Sequence, residues 1–168
     1  QVTIGPVIEN GFYYDFKVDT PFTPDDLPKI EKEMKKIIKE CIPVIRKELP
    51  REKAISFFKA QGEEFKVQIV EDLPKDAVIS LYEQGDFVDL CRGPHVGTTG
   101  FGNVGVGLTG VSAAYWRGDA QNASLSRIYG TAFYTPEAYQ EYIHLKEEAR
   151  RRDHRVLGTA LDLFSMYP

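Results

Sequence analysis

A chain of 168 residues with 42% hydrophobic content can bury one good core, and it has no low-complexity tract, which excludes a disordered or fibrous protein. Its net charge of −4 excludes attraction of a polyanion by overall charge and leaves any nucleic-acid contact to local clusters. Two cysteines far apart, with no secretory signal and no apolar span long enough for a bilayer, point to free thiols in a reducing cytoplasm.

The chain opens at Gln1 in a strand-like phrase without an initiator methionine, as expected of a fragment of something longer. From Gly11 to Val18, Phe12, Tyr14, Phe16 and Val18 alternate with Tyr13, Asp15 and Lys17, the period of a half-buried strand. Thr23 followed by Pro24, Asp25 and Asp26 reads as an N-cap, a first-turn proline and an acidic first turn. The helix they open carries the apolar stripe Leu27, Ile30, Met34, Ile37, Ile38 and Cys41, which places Cys41 in the core as an inert thiol. Its lysines are interleaved with glutamates, the pattern of a solvated face.

A strand from Val44 to Leu49 and a short helix from about Pro50 to Gln61, stopped by Gly62, come next. Strands are expected at Phe65 to Val70, Val78 to Glu83 and Phe87 to Cys91. Gly97 to Gly110 holds six glycines and no charge, so it reads as a loop or a set of tight turns leading into a strand through Val111. Without a GxGxxG or GxxxxGK pattern before a helix, it is not read as a nucleotide loop. Ser124 to Tyr134 looks like a further strand, and Thr135-Pro136 caps a long helix from Glu137 to about Arg155. Strands and helices without strict alternation predict an α+β fold, an antiparallel sheet with helices packed on one face.

The chemistry gathers at Cys91-Arg92-Gly93-Pro94-His95, which follows the run Phe87-Val88-Asp89-Leu90. On a strand Asp89 and Cys91 share one face, and Val88 and Leu90 point to the buried side. Gly93-Pro94 forces a turn that can swing His95 back toward Cys91, and a thiol beside Arg92 and an imidazole has a lowered pKa. The pair reads either as two soft ligands for zinc or as a thiol and imidazole that position and activate water. An ordinary loop cysteine near a surface histidine fits the same short pattern. The remaining histidines, His144 and His154, lie on the charged terminal helix, so no complete metal site is visible. Lys66, a cation among Phe65, Val67, Ile69 and Val70, shares an expected strand face with Gln68, and spacing alone does not separate a functional lysine from a solvent-facing one.

The phrases Ile4-Gly5-Pro6-Val7-Ile8-Glu9-Asn10-Gly11-Phe12-Tyr13-Tyr14-Asp15, Phe65-Lys66-Val67, Val88 to His95, Tyr115-Trp116-Arg117-Gly118-Asp119, Arg127-Ile128-Tyr129-Gly130-Thr131 and Arg152-Asp153-His154-Arg155 occur in one order over nearly the whole chain. Together they closely resemble the editing region of bacterial-type threonyl-tRNA synthetases. The resemblance implies an editing-type domain over 1–135 and, over 136–168, a linker helix toward the aminoacylation domain, with Leu157-Gly158 and Leu161-Asp162-Leu163-Phe164 in that linker. It also implies a purpose. A site built for threonine admits serine, and one missing methylene supports only about 10–200-fold discrimination, so a second sieve hydrolyses mischarged seryl-tRNA.

Carried over by position, Cys91, His95, Lys66 and Asp89 match the family's catalytic set, and Tyr82, Tyr14 and Arg92 its substrate-binding residues. Tyr14 is equally explained as core by its alternation with Phe12 and Phe16. The family's remaining histidines, an HxxxH, precede the Ile4-Gly5-Pro6 phrase and are absent here, so weak or no hydrolysis is expected of the chain alone. The implied partners are tRNA(Thr) carrying serine and the aminoacylation domain, in a homodimeric full enzyme. No cofactor is expected in this chain, because ATP, magnesium and zinc belong to that domain. Candidate RNA contacts are Arg117, Arg127 and the cluster Arg150, Arg151, Arg152 and Arg155, although arginines at a helix C-terminus also complement its dipole. Two other readings stay open: a non-catalytic module positioning tRNA, and a zinc-binding hydrolase akin to the alanyl editing proteins.

Overall fold

The computed structural model describes residues 1–154, 157, 158 and 161, so the expectations for Arg155, Asp162, Leu163 and Phe164 lie outside the described residues. The fold is α+β, as expected, but its strands form two sheets rather than one. The first has the order β1-β2-β7-β6, with β1 at Val7–Ile8, β2 at Gly11–Phe16, β6 at Gly105–Tyr115 and β7 at Ser124–Phe133. The second has the order β3-β4-β5, with β3 at Val44–Leu49, β4 at Ile79–Gln84 and β5 at Phe87–Leu90. Strand β2 is antiparallel to both neighbours, as is β4.

Helix α1 spans Leu27–Glu40 and is preceded by a single 3-10 turn at Pro24–Asp26. The Asp26 carboxylate accepts from the Thr23 N–H at 3.0 Å and the Thr23 hydroxyl at 2.9 Å, which ties off this helix start. The apolar stripe does not reach a core: no residue of α1 is buried, and Ile37 is 41% exposed. Cys41, expected as inert core, is exposed and ends the helix in the left-handed region at φ 52°. The periodicity that put it on the stripe stops at Glu40, because a left-handed residue turns its side chain off the helical phase.

Helix α2 at Arg51–Ala60 matches expectation, whereas Phe65 to Val70, read as a strand, lies inside helix α3 at Glu64–Asp72. The reason is packing on two sides. Val67 and Val70 join Ala54, Phe58, Ile79 and Leu81 in one core cluster, with Leu49, Val88 and Leu90 against it. Phe65 joins Trp116 and Leu125 in another, with Ile69 beside it. With two apolar faces the helix shows no single stripe, and Phe65, Val67 and Ile69 imitate the alternation of a strand although Glu64, Gln68, Glu71 and Asp72 form its exposed side. The glycine-rich segment also differs from its reading as a loop, since β6 begins at Gly105.

The molecule divides into two compact units, residues 1–102 with 107–131, and residues 103–106 with the chain from 132 onward. In the second, helix α4 at Pro136–Arg151 is capped by the Thr135 hydroxyl, which accepts from the Ala138 N–H at 3.1 Å. The Phe133 ring lies 5.1 Å from that of Tyr142, and a Cβ on Gly105 would come within 2.5 Å of Tyr139 Cβ. A side chain there would push the strand start away from the helix. Among the described residues, no helix is long and apolar enough to cross a membrane.

Candidate active site

Every candidate site residue lies in the first unit. Val88 and Leu90 pack on the core, which turns Asp89 to the opposite face of β5, as the alternation predicted. Directly across, Tyr82 of β4 is in register with Asp89. Cys91 follows the last strand residue and continues the ladder by donating its N–H to the Ser80 carbonyl at 3.2 Å.

Lys66 is the centre of this arrangement. Only 3% of its side chain is exposed, and its ammonium pairs with Asp89 Oδ1. The helix that carries it replaces the expected strand, and with it goes the shared face with Gln68. Gln68 instead accepts from the Trp116 indole N–H at 3.0 Å. A buried charge is tolerable only when paired, and Asp89 supplies the partner.

Tyr14 closes the pair from β2 by donating its hydroxyl proton to Asp89 Oδ2. Burial first, then the negative charge and hydrogen bond of Asp89, then Cys91 and Glu63, push its pKa well above the usual tyrosine range. The ring also packs 5.2 Å from that of Phe16, as its alternation with Phe12 and Phe16 predicted. Gly5 explains part of the Ile4-Gly5-Pro6 phrase: a Cβ there would fall 1.7 Å from the Tyr14 ring. The glycine lets the ring lie against the backbone.

The turn after Cys91 is shaped by Tyr82. Tyr82 is buried, and the His95 ring stacks on it at 4.1 Å with planes 27° apart. Gly93 has φ 74°, and a Cβ on it would meet the Tyr82 hydroxyl at 1.9 Å, so both conformation and space require glycine. The Gly93 N–H donates to Cys91 Sγ at 3.3 Å. Among the described residues no hydrogen bond joins the His95 imidazole to the Cys91 thiol, and exposed Arg92 makes no ion pair. The structure thus brings Lys66, Asp89, Tyr14 and Cys91 together, with Tyr82 and His95 as a stacked pair on the adjoining turn.

Glu63 and Ser80 were missed in the sequence. Glu63 accepts from the Val2 N–H at 3.0 Å and lines a small cavity of about 130 Å³ with Lys66 and Asp89. Nothing in its local pattern marks it. Ser80, a small polar residue between Ile79 and Leu81 on a buried strand, was a readable signal.

Among the described residues no three of His, Cys, Asp and Glu converge to hold a metal, so the zinc-hydrolase reading finds no donor set at Cys91 and His95. The candidate RNA contacts are mostly engaged internally. Arg127 is bidentate to buried Asp15 at 2.7 and 2.8 Å and lies 3.7 Å over the Tyr13 ring. Arg117 pairs with Asp72, and Arg151 and Arg152 both bond Glu148.

Comparison with known proteins gives the chain its family. Residues 79–129, which contain Ser80, Tyr82, Asp89, Cys91 and His95, match the family described as the threonyl and alanyl tRNA synthetase second additional domain. The chain is 57% identical over 164 residues, 98% of its length, to the threonine–tRNA ligase of Aromatoleum aromaticum. Identity is 56% over the same length to that of Legionella pneumophila strain Corby and 53% over 167 residues to that of Nitratidesulfovibrio vulgaris strain DP4. In each case the chain spans 26% of the relative's length. With the ligases alike along almost all of it and the additional-domain family matched over β4 and β5, which carry Tyr82 and Asp89, this chain belongs to the threonyl-tRNA synthetases as a segment of their length.

Proposed function

We propose that this chain is the editing region of a threonine–tRNA ligase and that its cleft hydrolyses the ester joining serine to tRNA(Thr). The observation that carries the reading is the buried Lys66–Asp89 pair, capped by the Tyr14 hydroxyl, with the Cys91 thiol at the end of the same strand. A buried cation and a carboxylate side by side suit a substrate that offers both an ammonium and an ester. Asp89 takes the serine ammonium or hydroxyl, and Lys66 holds the ribose or stabilises the oxyanion formed as water attacks the carbonyl. The intermediate then expels the ribose oxygen, which leaves as the tRNA hydroxyl, and serine departs as the free acid. Cys91 and His95 orient or activate the water, while Tyr82, Tyr14 and exposed Arg92 line the approach.

Discrimination comes from exclusion. On this reading the smaller serine ester enters and the threonine ester, larger by one methyl, does not. ATP, magnesium and zinc belong, on this reading, to the aminoacylation part of the longer enzyme, which is a homodimer.

The test compares deacylation of seryl-tRNA and threonyl-tRNA by a threonine–tRNA ligase carrying this segment. Serine-selective hydrolysis is expected, with a loss on the order of 10²-fold in Cys91→Ala. Equal rates for the two esters, or an unchanged rate in the variant, would remove the hydrolytic role of Cys91 and leave a module that positions tRNA.

A further inference from the structure

Ser80 is a buried hydroxyl, 4% exposed, flanked on β4 by the core residues Ile79 and Leu81. A buried hydroxyl is costly without a partner, and an apolar residue would serve a strand centre better. Its partner is Cys91: Ser80 Oγ donates to the Cys91 carbonyl at 2.6 Å, while the Cys91 N–H donates to the Ser80 carbonyl at 3.2 Å. The sulfur accepts from the Gly93 N–H at 3.3 Å. Strand β5 has ended at Leu90, so these contacts replace the ladder in holding Cys91.

We propose that Ser80 is a positioning residue that fixes the Cys91 backbone and, through it, the contact between the Cys91 sulfur and the Gly93 N–H. The proposal rests on the hydrolytic reading of the site for its effect on turnover and adds to it a group that never touches substrate. Tyr82 cooperates from the same strand face: two residues after Ser80, it underlies Gly93 and stacks on His95. Strand β4 is thus the template on which the turn from Cys91 to His95 is laid, with Ser80 as its fixed point. The Gly93 N–H fixes where the sulfur sits, so releasing the carbonyl lets the turn relax and frees the thiol from that contact.

Two readouts separate positioning from plain stability. In a threonine–tRNA ligase carrying this segment, Ser80→Ala is expected to lower kcat for seryl-tRNA deacylation about tenfold with KM changed less than about twofold. In the chain with Cys41→Ser, which leaves Cys91 as its sole thiol, the time course of iodoacetamide alkylation at one fixed pH is expected to quicken about threefold in Ser80→Ala, because the sulfur is no longer held against Gly93. Ser80→Thr keeps the hydroxyl and is expected to restore both. If Ser80→Ala keeps the parental kcat and alkylation profile, or if Ser80→Thr melts normally yet shows the loss of the alanine variant, the proposal is overturned. Where Ser80→Ala does not fold, Ser80→Val, which removes the hydroxyl and suits a strand centre, takes its place with the same readouts. A parallel Cys91→Ala control that still deacylates at the parental rate overturns the hydrolytic reading alone, since the alkylation profile still decides whether Ser80 holds Cys91.

Discussion

The Tyr14 hydroxyl sits against a carboxylate with a thiol and Glu63 nearby, so ionising it would place negative charge among negative charge. Its folded-state pKa is raised above the ordinary value of 10.0, while the unfolded chain titrates there. The folded state then binds more protons, so the stabilisation is fully present below pH 10.0 and is lost as pH rises from there toward the higher folded-state value. Unfolding in urea at pH 9 and at pH 11 is expected to show a steeper loss for the parent than for Tyr14→Phe, the difference approaching about 1.4 kcal/mol per pH unit. Identical slopes would show that the tyrosine is free to ionise in the fold. At this scale the sequence was informative where period-2 alternation operates, as with Asp89 and Cys91 on one face. It marked Lys66 as a cation among apolar residues but could not read its partner, because the ion pair with Asp89 joins residues 23 positions apart through tertiary packing.

Helix α3 is the element whose type the pattern misstated, and the cause lies in its surroundings. Its nine residues place Val67 and Val70 in one cluster and Phe65 and Ile69 in another, so apolar residues fall at 65, 67 and 69 and hide the exposed polar face of Glu64, Gln68, Glu71 and Asp72 behind a period of two. The error mattered for the site, because a strand lysine at position 66 would have pointed with Gln68, whereas the helix sends the two to different partners. Val70 is fully buried, and Val70→Ala is expected to cost about 2–3 kcal/mol in guanidinium unfolding with an unchanged m-value. A cost under about 0.5 kcal/mol would show that the packing on this side is slack. The other elements were legible because each obeys one rule: β3 is bounded by prolines at 43 and 50, α2 is stopped before Gly62, and α4 begins at Thr135-Pro136.

For the molecule as a whole, the net charge is −4, and Arg117, Arg127, Arg151 and Arg152, four of the candidate RNA contacts, are engaged in internal ion pairs. The chain alone is therefore expected to bind tRNA weakly, with a Kd above about 10 μM at physiological salt and a shallow salt dependence matching release of fewer than about two counterions. A steep slope in a titration of chain into tRNA between low and moderate salt would locate a basic surface outside these arginines. The division of the strands into two sheets was not readable, because strand order depends on pairings such as β2 with β7, whose partners Asp15 and Arg127 are far apart in sequence.

Because α3 is shared by both clusters, damage to either one reaches the lysine it carries. A cavity opened beside Trp116 and one opened beside Phe58 would both loosen the helix that sets the Lys66 ammonium against Asp89. The seam along α3 therefore has less mutational slack than an equally buried position that faces a single cluster. On the hydrolytic reading proposed above, accuracy would erode before the fold does, and a library of core variants would lose serine discrimination at substitutions that leave the chain cooperatively folded.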